Sequence, residues 1–231
     1  MMERTKAFIK AVFPGGVRMY RRVRGAGQSL VGRALGMEVI FSRIYRRNEW
    51  ADPETVSGRG STLARTEVVR GSLATLLESV GARTLLDAPC GDFNWLRHVD
   101  LRGVEYTGAD VVPELVERNR QAHGGEGRSF IVLDITRDCP PRSDVILCRD
   151  CFIHLSFRDI RAAVANFKRS GSTFLLATTH STVGENTDIP SGGWRSVNLL
   201  LSPFNFPPPE KLLTEDEEAG KQLGMWRLEK L

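Results

Sequence analysis

Hydrophobic residues recur along this chain at two spacings, one helical and one typical of short buried strands. Between Thr62 and Val80, leucines and valines fall at roughly helical spacing, and Gly81 follows as a helix stop. After Gly81, apolar runs of strand length alternate with segments of helical spacing. The predicted strands are Thr84–Ala88, Tyr106–Ala109, Phe130–Leu133, Asp144–Cys148 and Thr173–Thr178, and the predicted helices between them are Pro113–Gln121 and Phe157–Arg169, the latter capped by Ser156.

This alternation of strands and helices predicts an α/β fold with a Rossmann-like, mostly parallel sheet and helices on both faces. The tail from Lys211 to Leu231 is too short for two further strand–helix units. It is predicted to form a final pair of strands around the acidic connection Glu215–Gly220, which completes a seven-stranded sheet.

The first 47 residues differ from the rest of the chain in charge. They hold eleven basic and two acidic residues, a net charge of +9, whereas the remainder carries −5. We interpret residues 1–47 as a basic helical extension, broken near Pro14–Gly16 and Gly25–Gly27, and residues 48–231 as the main domain. The extension is either a solvated arm or a contact for nucleic acid or an anionic membrane surface. Residues 48–61 are predicted to form a lid loop.

Composition favours one cytoplasmic domain. The chain has 231 residues, and its apolar runs are far too short to span a bilayer. Its four cysteines fit buried thiols in a reducing compartment. Cys148 and Cys151 have CxxC spacing but lack further zinc ligands nearby, so no metal is predicted.

An acidic residue stands at the end of each of the first three predicted strands, at Asp87, Asp110 and Asp134. In an open parallel sheet, ligands bind beyond the carboxyl ends of the strands. S-adenosylmethionine combines a cationic sulfonium, an amino group, ribose hydroxyls and an adenine amine without any phosphate, so its site needs carboxylates and other acceptors. Asp110 lies 23 residues after Asp87, which suits a ribose-binding acid.

The run after the first strand, LLDAPCGDFNW, resembles the hydrophobic-Asp-x-Gly-x-Gly-x-Gly signature of class I S-adenosylmethionine-dependent methyltransferases. Pro89 stands for its first glycine and Phe93 for its third, which leaves Gly91. The chain is also similar to a bacterial subgroup that shares PCGDFNW, GAD, LCRDC followed by HLS, and PFNFPPP. The resemblance covers about residues 48–231 and implies a methyltransferase that uses S-adenosyl-L-methionine.

The resemblance also implies roles for residues of the cofactor site. Asp87 would face the methionine amino group, Asp110 would hold the ribose, and Asp134 with Ile135 would hold the adenine, although Asp134 also suits a turn before Thr136. The other predicted cofactor-binding residues are Pro89, Gly91, Arg149 and Arg59, with Arg65 an alternative to Arg59 as partner of the cofactor carboxylate.

Candidate catalytic residues follow the fourth strand. In the resembled family this segment lies beside the transferred methyl group, and a histidine starts the next helix. His154 is therefore the first candidate for a general base and Asp150 the second, whereas a purely structural histidine is the alternative.

The connection after the fifth strand is about 30 residues long, and ordered loops of this length are usually functional. Its aromatic, amide and guanidinium groups suit a polar substrate, and the subgroup resemblance favours a saccharide or another small polar metabolite over nucleic acid. The predicted substrate-binding residues are His180, Asp188, Trp194 and Arg195.

Two other classes of protein share part of this pattern. A nicotinamide-dependent oxidoreductase needs Gly-x-Gly-x-x-Gly to admit a pyrophosphate, and Pro89, Asp92 and Phe93 disfavour it. A non-catalytic nucleoside-binding protein, whose basic arm contacts RNA or a membrane, stays open as the alternative function.

Overall fold

The computed structural model describes residues 36–231. Residues 36–46 form the first helix, α1. The helices are α2 (Glu67–Glu78), α3 (Pro113–His123) and α4 (Phe157–Arg169); the strands are β1 (Thr84–Asp87), β2 (Glu105–Asp110), β3 (Arg128–Val132), β4 (Val145–Cys148), β5 (Phe174–His180), β6 (Lys211–Asp216) and β7 (Lys221–Arg227).

The strands form one sheet in the order β3-β2-β1-β4-β5-β7-β6. The first five strands run parallel, and β7 runs antiparallel between β5 and β6. The predicted seven-stranded, mostly parallel Rossmann-like sheet is therefore confirmed. The helix expected from Thr62 begins later, at Glu67, because residues 63–66 form turns.

Alternate residues of the central strands fill two cores, one on each face of the sheet. Leu85 packs with Leu73 and Leu77 of α2, whereas the next residue, Leu86, packs with Phe167 of α4. Successive side chains of a strand point to opposite faces, so strands that are apolar at every position need a helical layer on both sides. The sequence pattern of β1, β4 and β5 thus produces three layers.

Helix α4 begins as its sequence predicts. The Ser156 hydroxyl accepts a hydrogen bond from the Asp159 backbone N–H at 3.2 Å and donates to the Asp159 carboxylate at 2.7 Å. These contacts satisfy an amide of the first turn, which has no partner inside the helix. They also set the start of the helix directly after the segment that carries His154.

Helix α1 packs on the same core as the sheet. Met37 joins the cluster that contains α4, and Ile44 is buried. The predicted helical breaks near Pro14–Gly16 and Gly25–Gly27 lie outside the described residues, and the boundary at residue 47 stays a prediction. Within residues 36–231, no helix combines the length and apolar character needed to cross a bilayer.

Candidate active site

A cavity of about 700 Å³ opens at the carboxyl ends of the parallel strands. This volume lies within the range of small-molecule sites. Its walls come from the strand ends, from residues 56–61, from α1 and from the β6–β7 hairpin. Twelve of the predicted site residues line it: Asp87, Pro89, Gly91, Asp110, Asp134, Ile135, Arg149, Asp150, Arg59, His154, His180 and Trp194.

Asp87 is a buried carboxylate at the end of β1. Its Oδ2 accepts a hydrogen bond from the Tyr106 hydroxyl at 2.9 Å. Burial raises the pKa of Asp87 to about 7, a shift that the Tyr106 hydrogen bond and the charge of Arg149 oppose and that of Asp110 increases. A cationic ligand would stabilise the ionised form of a buried acid with a raised pKa, because its positive charge offsets the cost of burying the carboxylate.

The turn after β1 is held by groups from neighbouring elements. Gly91 has φ +53°, a conformation that side chains rarely adopt, and an added Cβ would collide with the Ser57 hydroxyl. Asn119 of α3 donates a hydrogen bond from Nδ2 to the Gly91 carbonyl at 2.7 Å, and the Gly91 N–H donates to Asp110 at 3.1 Å. At Gly91, therefore, the cavity wall consists of main-chain atoms that no side chain covers.

Asp110 ends β2 and binds two loop amides. Its Oδ1 accepts from the Val112 N–H at 3.0 Å, in addition to the contact with Gly91. Burial raises the pKa of Asp110 to about 6, although these backbone hydrogen bonds lower it. Asp134 follows β3, and its Oδ1 accepts from the Thr136 N–H at 2.9 Å. Asp134 thus forms the turn that its sequence context allows and also lines the cavity.

The predicted lid loop is attached to the β1 turn through Asp92. The Asp92 carboxylate accepts hydrogen bonds from the Thr55 hydroxyl at 2.7 Å, the Val56 N–H at 3.0 Å and the Ser57 hydroxyl at 2.9 Å. Four residues beyond Thr55, Arg59 lines the cavity with an exposed side chain. In this structure the loop forms one wall of the cavity, and Asp92, its anchor, attaches it to the β1 turn.

Arg149 and Glu215 form a buried ion pair beneath the cavity. The Arg149 guanidinium donates from two nitrogens to the Glu215 carboxylate, at 3.0 and 2.7 Å, and from a third to the Gly60 carbonyl at 2.9 Å. Asp150 lies 3.2 Å from Arg149 and 2.6 Å from Lys221. The cluster joins the end of β4, the lid loop and the β6–β7 hairpin.

The surroundings of Asp150 favour its anionic form. Burial opposes ionisation, but the charges of Arg149 and Lys221 outweigh that effect, so the pKa of Asp150 lies below its ordinary value. A carboxylate that holds its charge so firmly is a weak proton acceptor near neutral pH.

His154 is oriented by a carbonyl group. Its Nδ1 lies 2.8 Å from the Gly193 carbonyl oxygen, which can only accept, so Nδ1 carries the hydrogen and Nε2 keeps a lone pair. The Trp50 ring lies against the imidazole, with 5.0 Å between ring centroids. Burial lowers the pKa of His154 below 6.5. The neutral imidazole is therefore the main form at pH 7.

The four predicted substrate-binding residues separate into two pairs. His180 and Trp194 line the cavity, and Trp194 is 67% exposed. Asp188 and Arg195 are not among the residues of the cavity wall. Asp188 accepts a hydrogen bond from the Phe157 N–H at 2.7 Å, and Arg195 is directed to main-chain carbonyls.

Several residues around the site did not stand out in the sequence. Trp50, Glu215 and Lys221 line the cavity but come from segments far from the strand-end motifs. Asn119 and Tyr106 act from outside it, by holding Gly91 and Asp87. Asp92 lies within the PCGDFNW run, and an acid in that turn is the sequence signal that could have indicated a contact with the loop at residues 55–57.

The strand order, with an antiparallel β7 inserted between β5 and β6, and the acids at successive strand ends around one cavity agree with the fold that the sequence resemblance implied. No family model matches the sequence, and comparison with curated proteins gives no match. The similarity to known proteins is therefore a similarity of fold, found among solved structures.

Human N-acetylserotonin methyltransferase in complex with S-adenosylmethionine is similar to this chain with a TM-score of 0.60 and 14% identity, covering 86% of this chain and 61% of that one. The N-methyltransferase NodS from Bradyrhizobium japonicum, in complex with S-adenosylhomocysteine, gives a TM-score of 0.57 and 15% identity over 79% of this chain and 97% of its own. TehB from Haemophilus influenzae gives a TM-score of 0.50 and 16% identity, covering 68% of this chain and 61% of its own. This chain therefore has the methyltransferase fold, and it spans about three fifths of the human enzyme.

Proposed function

We propose that this protein transfers a methyl group from S-adenosyl-L-methionine to an oxygen or nitrogen atom of a small polar acceptor. The observation that carries the proposal is the pair of buried carboxylates, Asp87 and Asp110, at the ends of adjacent strands on one cavity. The fold of NodS and the human enzyme supports it. Saccharides are the first acceptor class to test, in line with the subgroup that the PCGDFNW run resembles.

The residues of the cavity fit this cofactor. Asp87 offers a buried carboxylate to an ammonium group, and Asp110 offers acceptor oxygens to ribose hydroxyls. The side-chain-free backbone of Gly91 allows close approach, and Ile135 offers an apolar contact to adenine beside Asp134. Each group matches one chemical feature of S-adenosylmethionine.

We assign the cofactor carboxylate to Arg59. The cationic groups of Arg149 and Lys221 already contact the carboxylates of Glu215 and Asp150. Arg59 lines the cavity, and no carboxylate within residues 36–231 lies in ion-pair range of it. In this assignment Arg149 supports the lid through the Gly60 carbonyl instead of binding the ligand itself.

When bound, the cofactor supplies an electrophilic methyl group on its sulfonium. Positioning of the acceptor accounts for most of the catalysis, since methyl transfer needs an in-line approach. His154 receives the proton that the acceptor hydroxyl or amine loses, because its Nε2 keeps a lone pair. Asp150 is not assigned this step, because Arg149 and Lys221 hold its pKa low; it orders Lys221 instead.

Trp194 supports an acceptor that carries a ring. It is a large, mostly exposed aromatic side chain at the cavity wall, next in sequence to the Gly193 carbonyl that orients His154. Aromatic faces stack on flat rings and on the C–H faces of sugars, and a polar acceptor of this kind would bring a hydroxyl close to His154.

Calorimetric titration with S-adenosylhomocysteine tests the proposal. Micromolar binding is expected, with at least a tenfold loss in Asp110→Ala and none in Glu105→Ala, an exposed acid at the other end of β2. NAD should give no heat. If S-adenosylhomocysteine gives none at high micromolar concentration, the cofactor assignment is wrong; binding without turnover on any acceptor pool would favour the non-catalytic alternative.

A further inference from the structure

We propose that Arg195 is a positioning residue for His154, which it orients through the main chain on both sides of the imidazole. The proposal rests on the function proposed above, in which His154 accepts a proton. It gives Arg195 a task other than the substrate contact expected from its place in the long loop.

The Arg195 guanidinium holds the turn that carries His154. Its two terminal nitrogens donate to the carbonyls of Phe152, at 2.5 Å, and Leu155, at 2.7 Å. Phe152 is the first residue of the 3-10 turn that ends at His154, and Leu155 follows directly after it. A planar guanidinium can bridge two carbonyls in this way, whereas a lysine ammonium offers no such fixed fork.

The backbone next to Arg195 holds His154 itself. The Arg195 N–H donates to the Ile153 carbonyl at 3.0 Å, and the Gly192 N–H donates to the His154 carbonyl at 2.8 Å. Between them, the Gly193 carbonyl accepts the hydrogen of His154 Nδ1. The segment from Gly192 to Arg195 therefore forms hydrogen bonds with both the main chain and the ring of His154.

Arg195 makes these contacts without a carboxylate partner. Among residues 36–231, no acidic oxygen lies within ion-pair distance of its guanidinium, which instead faces the Phe157 ring at 5.6 Å. Burial accordingly lowers the pKa of Arg195 to about 10. A buried cation is costly, and the structure compensates it mainly with carbonyl oxygens, helped by the Phe157 ring and the more distant charge of Asp188.

The charge of Arg195 also acts on the imidazole. It is one of the causes that lower the pKa of His154, although burial is the larger one, and Asp150 and the Gly193 carbonyl act in the opposite sense. Trp50, whose ring lies against the imidazole, carries no charge. Arg195 thus favours the neutral, Nδ1-protonated ring that a general base requires.

Nitrogen-15 NMR of the full chain with labelled histidine tests the proposal without an acceptor. His154→Asn identifies the His154 signals among those of the four histidines. In the wild-type protein we expect the Nδ1–H tautomer. In Arg195→Met we expect a mixture of tautomers and a higher titration midpoint, with affinity for S-adenosylhomocysteine within twofold of wild type.

Two further variants make the result decisive. Arg120→Met also removes a guanidinium–carbonyl contact, to Phe130, but far from His154, and should leave the tautomer unchanged. Arg195→Lys keeps the charge but not the fork, so it should show mixed tautomers even if Arg195→Met fails to fold. A wild-type His154 spectrum in Arg195→Lys and in any folded Arg195→Met would overturn the proposal.

The proposed function can fail separately from this inference. Absence of S-adenosylhomocysteine binding in the wild-type protein would remove the cofactor site but leave the tautomer measurement intact. If His154→Asn transfers methyl groups at the wild-type rate once an acceptor is known, His154 is not the general base. Arg195 would then orient His154 without contributing to catalysis.

Discussion

The phenol hydroxyl of Tyr106 donates a hydrogen bond to Oδ2 of Asp87 at 2.9 Å, and both side chains are buried. Tyr106 stands on β2 opposite Leu85 of the neighbouring β1, and Asp87 ends β1 two residues further on. This hydrogen bond favours the ionised form of Asp87, but burial outweighs it and leaves the pKa at about 7. The carboxylate is therefore close to half ionised at neutral pH before any ligand binds.

Ligand binding should consequently depend on pH. In the proposed function a cationic amino group binds the ionised form of Asp87, so affinity for S-adenosylhomocysteine should fall as pH drops through about 7. One proton at this pKa gives a loss of about tenfold between pH 8 and pH 6. Calorimetry across this range measures the slope. A flat profile in the wild-type protein would show that ligand binding releases no proton from Asp87 in this pH range and would overturn the prediction.

Two variants distinguish the contribution of Asp87 from that of its hydrogen-bond donor, Tyr106. Tyr106→Phe removes a contact that lowers the pKa of Asp87, so the midpoint of the affinity profile should move to higher pH. Asp87→Asn should bind at least tenfold more weakly, and it should lose the part of the slope due to this residue. The remaining slope reports Asp110, whose pKa is about 6.

Gly91→Ala should weaken ligand binding by more than tenfold. Its φ of +53° is strained for alanine, and the new Cβ would displace the Ser57 hydroxyl from the lid anchor. Gly81→Ala is the matched control, because Gly81 has φ +65° with no atom within 4 Å of an added Cβ. Both variants should lose about 1–2 kcal/mol of unfolding free energy for the backbone alone. Only Gly91→Ala should affect binding, as calorimetry would measure.

Asp92→Ala should release the loop at residues 55–57. The carboxylate accepts three hydrogen bonds from this loop, and hydrogen bonds to charged groups contribute about 1.5–3 kcal/mol each. We expect faster hydrogen exchange at Val56 and Ser57 and about tenfold weaker binding of S-adenosylhomocysteine. Asp100→Ala, which removes a side-chain contact to the Arg102 N–H away from the cavity, should change neither quantity. Unchanged exchange at Val56 in Asp92→Ala would show that the anchor is dispensable.

Arg149→Met should destabilise the fold by about 3–5 kcal/mol, because it leaves the buried Glu215 carboxylate without its main partner. Glu215→Leu should be similarly costly. The double variant should lose clearly less than the sum of the two, since no charge of the pair is then left alone. Chemical denaturation of the four proteins completes this double-mutant cycle. Additive losses would mean that Arg149 and Glu215 are not coupled.

Local sequence was sufficient for most of the fold. The alternation of apolar strand-length runs with helical spacing predicted the order and type of the elements, and Ser156 was correctly placed at the start of α4. Helix boundaries were less accurate where turns intervene, as before Glu67. Phe93 has a positive φ at a glycine position of the resembled signature, and its ring packs against Tyr106 and Phe130, contacts that no local pattern reveals.

The sequence by itself determined which strand ends carry acids, because periodicity locates the strands and the residue after each can then be read directly. Only the tertiary structure decided what those acids and their neighbours contact. Burial made Asp87 a carboxylate with a pKa near 7, and long-range contacts paired Arg149 with Glu215, 66 residues away. Arg195 and Asp188 were drawn to the main chain around α4 rather than to the cavity. The physical reason is that hydrogen bonds and burial depend on neighbours in space, whereas sequence patterns record only neighbours along the chain.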